Sequence, residues 1–186
     1  LKEINLGRPH VLSAEKEELL AQMSEVASSA SKTFSALNNA DIEFPKIIGE
    51  DGEEVQITHG NYITMLESDN REVRESAFKA VYKTYGQYKN TFATTLAGNV
   101  KAHNANAKIR NYDSARHAAL SNNFIPEKVY DQLISTIHDY LPALHRYVEL
   151  RKQVLGVDEL HMYDLFTPLV KEVKMEVTYE EAMKTM

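Results

Sequence analysis

The chain has 186 residues, 43% of them hydrophobic and 26% charged, which suits one medium-sized globular domain or parts of two, with enough apolar side chains for a core. Its 21 Lys and Arg against 27 Asp and Glu give a formal net charge of -6, and no basic block occurs, so neither nucleic acid nor an anionic membrane is an expected partner. Cysteine is absent, which excludes disulfide frameworks, thiolate metal sites and cysteine nucleophiles and is compatible with a reducing cytoplasm.

The first residues, with Leu1 rather than Met in front, lead into Asn5-Leu6-Gly7-Arg8-Pro9-His10, a turn-forming stretch that reads as a loop entered from upstream. Ser13 then suits the N-cap of a helix starting at Ala14, with Glu15 and Glu17 complementing its positive end. Leu19, Leu20, Met23, Val26, Ala27, Ala30, Phe34 and Leu37 recur at three and four, marking one buried stripe that ends at Asn38-Asn39. Next come two extended runs, 44–48 and 53–57, around the turn Gly49-Glu50-Asp51-Gly52, a predicted β-hairpin. Thr58 is placed to cap a short helix over 59–66, which Gly60 weakens.

Asp69-Asn70-Arg71-Glu72 has the capping-box form, and no proline follows for forty residues, so one helix over 70–110 is expected, about 60 Å long at 1.5 Å per residue. Val73, Ala77, Phe78, Val81, Tyr85, Tyr88, Phe92, Leu96 and Val100 form its buried stripe, and Gly98 with the alanines after it permits close approach of another helix. Pro126 suits the first position of a further helix whose apolar period continues to the stop at Gly156, with a kink at Pro142. The stretch 162–170 reads as extended or edge-strand chain interrupted by Pro168. Thr178 and Glu181 form a last capping box, but about two turns remain before Met186, too few for a stable isolated helix. The chain is therefore expected to be cut from a longer one. The leader-like and membrane-spanning patterns are missing: no apolar run approaches the roughly 20 residues a bilayer requires. The fold class is mainly α, long antiparallel helices with one small β-hairpin.

Seven histidines invite a metal, but none of their spacings fits zinc, and the His-Glu-x-x-His arrangement, which sets two imidazoles one turn apart beside a water-activating carboxylate, is absent. His138 and His145 share a helical face but stand two turns apart with Pro142 between them. No Gly-x-Ser-x-Gly elbow or phosphate-cradling loop occurs. The carboxylates Glu15, Glu17, Glu18, Glu53 and Glu54 cluster at helix starts and turns, where solvated charge explains them. Of ten tyrosines, Tyr82, Tyr85 and Tyr88 lie on the long helix, either packed between helices or contacting a ligand through their phenols.

Three stretches, Phe34-Ser35-Ala36-Leu37-Asn38-Asn39-Ala40-Asp41, Thr58-His59-Gly60-Asn61-Tyr62 and Leu160-His161-Met162-Tyr163-Asp164-Leu165, together with Arg71-Glu72-Val73-Arg74 and Leu144-His145-Arg146-Tyr147, resemble the oligoendopeptidase F family over almost the whole chain. The resemblance implies a two-lobed, mainly helical, cytoplasmic zinc metallopeptidase that encloses short peptides in a cleft and cleaves internal bonds. It implies that the zinc ligands and the catalytic base lie C-terminal to Met186, so that this chain alone binds no zinc, carries no catalytic residue and is inactive. On it, residues 1–68 finish the N-terminal lobe, hairpin included, and 69–186 begin the peptidase lobe. An oligopeptide substrate is the implied partner. His59, Tyr62, His161 and Tyr163 are the candidate substrate-facing positions, the alternative being that they anchor loops. A second function, a non-catalytic helical binding or assembly module, is also compatible with the composition. If the chain is cut from a larger body, apolar helix faces left uncovered are expected to favour self-association, whereas the module would be a complete, well-behaved domain.

Overall fold

The structure, a computed structural model, describes residues 7–170 together with Met183. The capping box expected at Thr178 and Glu181 lies outside the described residues. Among the described residues, six α-helices carry the fold: α1 (Ala14–Ala36), α2 (Tyr62–Glu67), α3 (Arg71–Gln87), α4 (Lys89–Ile109), α5 (Ala115–Ser121) and α6 (Glu127–Leu155). One antiparallel pair, β1 (Lys46–Ile48) with β2 (Glu54–Gln56), is the hairpin, in the register Lys46↔Gln56, Ile47↔Val55 and Ile48↔Glu54. The chain divides into two compact units, each assembled from two stretches: residues 1–44 with 81–144, and residues 45–80 with 145–186.

In the first unit α1 and α4 run antiparallel. Glu17 meets Arg110, Ala30 faces Gly98 and the Phe34 and Phe92 rings stand 5.8 Å apart, so sequence position rises along one helix as it falls along the other. A Cβ on Gly98 would sit 3.0 Å from that of Ala30; the missing side chain is what lets the backbones approach there. Ser13 takes the N-cap conformation of α1, but its side chain makes no cap hydrogen bond. Instead Glu17 reaches back to accept from the Leu12 amide (3.1 Å). The far end of α1 does not stop at Asn38-Asn39. It widens into a π-turn, Leu37–Asp41, closed by the Ile42 amide on the Leu37 carbonyl (3.0 Å).

The stripe expected to bury α1 is not covered: no α1 residue is buried, and Leu19, Met23, Val26 and Phe34 are exposed. Among the described residues α1 has α4 as its principal helical neighbour, and one neighbour covers only part of a broad apolar face.

The single helix expected over 70–110 is two. At Tyr88 (φ -103, ψ 10) the backbone leaves the helix, and its amide bonds the carbonyl three residues back, at Tyr85 (3.0 Å), before α4 resumes with the Phe92 amide on the Tyr88 carbonyl. Gly86, the residue with least helical preference nearby, sits just before the break. The cap of α3 is also shifted by one: Asn70, not Asp69, accepts from the Glu72 amide (3.0 Å). After α4, the short helix α5, unforeseen in the sequence, is capped by the Ser114 hydroxyl accepting from His117 N (2.9 Å). α6 runs unbroken for 29 residues with Pro142 inside it.

The second unit holds the hairpin, α2, the first turns of α3 and the chain after 145. Gly52 (φ +81) closes the hairpin turn in a conformation that favours glycine, and Lys46 pairs with Glu54 across the strands at 3.0 Å. The helix expected over 59–66 starts later, at Tyr62, because Thr58 and Asn61 close a reciprocal turn first: the Thr58 amide donates to Asn61 Oδ1 (2.8 Å) and the Asn61 amide to Thr58 Oγ1 (3.2 Å). Ile47, Ile57, Leu66, Val73, Ala77, Ala80 and Tyr163 are buried apolar side chains of this unit. The 162–170 stretch is no strand. It forms a 3₁₀ turn, Met162–Asp164, followed by bends, because Asp164 turns inward to meet arginines.

Candidate functional site

The four residues proposed from sequence all fall in the second unit. His59 is exposed and Tyr62 half-buried, on either side of Asn61 at the start of α2. His161 and Tyr163 are brought together: their rings stack with centroids 5.0 Å apart and planes at 21°. The Tyr163 ring is buried, edge-on to Phe78 at 5.8 Å and beneath the Arg71 guanidinium at 5.3 Å, whereas His161 stays exposed. Tyr163 is thus a packed support for the histidine above it.

Beneath this pair lies an arrangement that sequence spacing did not indicate. Arg71 and Arg74 stand three apart on α3 and so share a face. Both converge on Asp164, which is wholly buried: Arg71 Nε and Nη2 donate to its two oxygens at 3.2 and 2.9 Å, and Arg74 Nη2 donates at 2.8 Å. The His161 amide adds a fourth donor (3.0 Å). Arg151 of α6, also buried, donates to the Asp164 carbonyl (2.9 Å) and the Thr167 carbonyl (2.6 Å). Arg74 Nη1 holds the Ser68 carbonyl (2.8 Å), onto which the Thr167 hydroxyl also donates (3.3 Å).

Burial pushes the Asp164 carboxyl upward, but the hydrogen bonds from Arg71 and Arg74 and from the His161 amide outweigh it and hold the group down, to about 2. A carboxylate so acidic, with donors on both oxygens, is unsuited to proton abstraction near neutral pH. The cluster anchors the loop that carries His161 and Tyr163. The i, i+3 arginines were a local signal for it, but their partner is about ninety residues away and has no local signature.

The first unit carries a cavity of about 550 Å³ between α1 and α3–α4, lined by Phe34, Tyr82, Tyr85, Phe92 and Leu96 with Asn38 and Asn99 among them. The Tyr85 hydroxyl, whose pKa burial raises, donates to Asn38 Oδ1 in the π-turn (3.0 Å). Tyr85 therefore packs between helices and also serves the cavity wall, while Tyr82 is half open to solvent.

A second cavity, about 410 Å³, is walled by His10, Tyr112, His117 and Glu127. Here the His10 ring lies parallel to Tyr112 at 3.6 Å, its Nδ1 2.9 Å from the Arg110 carbonyl, and His117 stands edge-on to both rings. Arg110 in turn grips Glu17 with two bonds of 2.8 Å, a correction to the expectation that Glu17 is merely solvated. Donation from Arg110, then from the Leu12 amide, lowers the Glu17 pKa.

Among the described residues no three His, Cys, Asp or Glu side chains gather in a way that fits a metal ion. The zinc implied by the resemblance has no donor set among the described residues. No helix among the described residues is long and apolar enough to cross a membrane.

A helical architecture with this motif order is that of a known peptidase family. Residues 64–186 match the sequence model of Peptidase family M3, and residues 1–44 match that of Oligopeptidase F. The chain belongs to peptidase family M3. Within it, the resemblance to oligoendopeptidase F holds across the chain: it is 64% identical over 186 residues to Oligopeptidase PepF of Bacillus subtilis, covering 28% of that protein. It is 52% identical over 177 residues to the plasmid Oligoendopeptidase F of Lactococcus lactis subsp. cremoris, over 95% of this chain and 29% of the relative. The crystal structure of oligoendopeptidase-F from Enterococcus faecium superimposes with a TM-score of 0.90 at 55% identity, over 94% of this chain and 33% of that one. The chain thus spans less than a third of the length of these curated relatives.

Proposed function

We propose that the longer protein containing this sequence is a cytoplasmic, zinc-dependent oligoendopeptidase that hydrolyses internal bonds of short peptides, and that this chain supplies scaffold rather than reactive groups. The observation carrying the proposal is the 64% identity over 186 residues to an oligopeptidase. The absence of cysteine is compatible with a cytoplasmic location. The chain contains no His-Glu-x-x-His sequence, which supports placing the zinc ligands and base outside it. We assign residues 1–68 to the end of an N-terminal lobe and 69–186 to the start of the peptidase lobe; that two separate family models match, over 1–44 and 64–186, supports a division of the chain in this region.

Peptide contact is assigned to His59, Tyr62 and His161, with Tyr163 acting through the His161 ring it supports. The stacking at 5.0 Å motivates this division of roles. The exposed imidazole offers a hydrogen bond to a peptide carbonyl, and the buried phenol ring holds it at a fixed tilt.

The test has two arms. The 186-residue chain incubated with zinc and quenched fluorescent peptides should give background hydrolysis only, whereas the longer protein should cleave them and lose activity to a chelator. Chelator-sensitive cleavage by the pure chain would overturn the placement of the reactive residues. In the longer protein, His161→Ala and Tyr62→Phe should each weaken KM by about 1 kcal/mol equivalent, the size of one lost hydrogen bond, with kcat less affected. Unchanged turnover and affinity in both would reject the peptide-facing assignment.

A further inference from the structure

The longest helix, α6, has an apolar face far larger than anything near it covers. Between 129 and 144, Tyr130, Leu133, Ile137, Tyr140 and Leu144 repeat at alternating spacings of three and four, the seam of a seven-residue repeat. That seam does not have charged flanks. Ile134 and Leu141 widen it on one side and Val129 on the other, while Asp131, Gln132, Ser135, His138 and Asp139 all fall on the opposite face. At 3.6 residues per turn the apolar arc spans about 140°.

Within the described residues this face is open. Arg116 of α5 pairs with Glu127 and Asp131 at 2.7 and 2.8 Å and lies over the Tyr130 ring at 5.3 Å, pinning the first turns. Past that point Leu133, Ile137 and Leu144 are exposed and Tyr140 is 70% exposed. Arg151 is the one described α6 residue that is buried.

The width of the arc decides what can cover it. A two-stranded coiled coil buries a narrow seam and keeps the flanking positions charged. One partner helix laid on Leu133, Ile137 and Tyr140 would leave Ile134 and Leu141 in water on one flank and Val129 on the other. An apolar stripe this broad is that of a core helix in a bundle, with a neighbour on each flank. Relatives of which this chain makes up 28 to 29% contain ample further polypeptide to provide such neighbours.

We infer that residues 129–144 form an interior helix of a larger bundle, covered on both flanks by helices of the same polypeptide lying outside these 186 residues. The inference rests on the existence of that longer polypeptide and not on its peptidase activity, so failure of the activity proposal leaves it standing. It differs from self-association of the chain, in which a second copy would occupy the seam.

The experiment uses the longer protein and the lack of cysteine in this stretch. Tyr140→Cys, on the apolar arc, and Asp139→Cys, on the polar arc, are labelled with a maleimide in the folded protein, and the labelled peptide is quantified by mass spectrometry. The Tyr140→Cys thiol should react about a hundredfold more slowly than the Asp139→Cys thiol, as expected where access needs local opening, and the ratio should persist on dilution. Equal rates would overturn the inference, as would protection that disappears on dilution, which assigns the face to a second copy. Should Tyr140→Cys fail to fold, hydrogen exchange of the unmodified longer protein decides. Amides of 129–144 that exchange at the rate of exposed surface helices, or slow exchange lost on dilution, would overturn it; concentration-independent protection would support it.

Discussion

Asp164 shows how one side chain can organise a region through ordinary electrostatics. A buried carboxylate is expensive unless its lone pairs are filled, and here Arg71, Arg74 and the His161 amide fill them. Because the folded pKa lies below the ordinary value, at about 2, ionised Asp164 favours the folded state at all pH values above the unfolded pKa. That contribution is lost as pH falls from the ordinary carboxylate range toward about 2. Asp164→Asn should therefore lower the unfolding free energy near neutral pH by about 3–5 kcal/mol, the usual cost of leaving a buried charge unpaired. It should also flatten the acid limb of a stability–pH curve from urea denaturation. An unchanged acid limb would mean that other carboxylates set it. His161 and Tyr163 were legible as a motif, but the reason the loop turns inward was not, since Arg71 and Asp164 are 93 positions apart.

The helices repeat the lesson with backbones in place of charges. Ala14, the hairpin turn and the stop near Gly156 follow from caps, glycines and periodicity, which are properties of adjacent residues, and they appear where expected. The break at Tyr88 does not follow from them, because the apolar period runs through it without a proline. Two glycines that look alike in sequence separate on packing. Gly98→Leu should destabilise the chain by about 1–3 kcal/mol, the cost of overpacking, because a Cβ there already meets Ala30 at 3.0 Å. Gly86→Ala meets no atom within 4 Å and should raise stability by about 0.5–1 kcal/mol through helix propensity alone. Thermal unfolding of both variants measures the contrast; equal effects would show that α1 and α4 are not held together at Gly98.

At the level of the entire chain, the exposed apolar side chains of α1, α4 and α6 are the dominant feature. An environment-sensitive hydrophobic dye should bind the 186-residue chain strongly and the longer protein weakly; comparable fluorescence from the two would argue that these faces remain open in both. Helix content, the hairpin, the acidic charge balance and the family motifs could all be read from the order of residues, since each depends on neighbours within a few positions or on composition. Which apolar stripes are covered, that Tyr163 supports His161, and that Glu17 and Asp164 each answer to distant arginines depend on contacts between segments far apart in the chain. Those are set by the folding of the whole backbone, because an ion pair or a packed face exists only when both of its halves have been brought together.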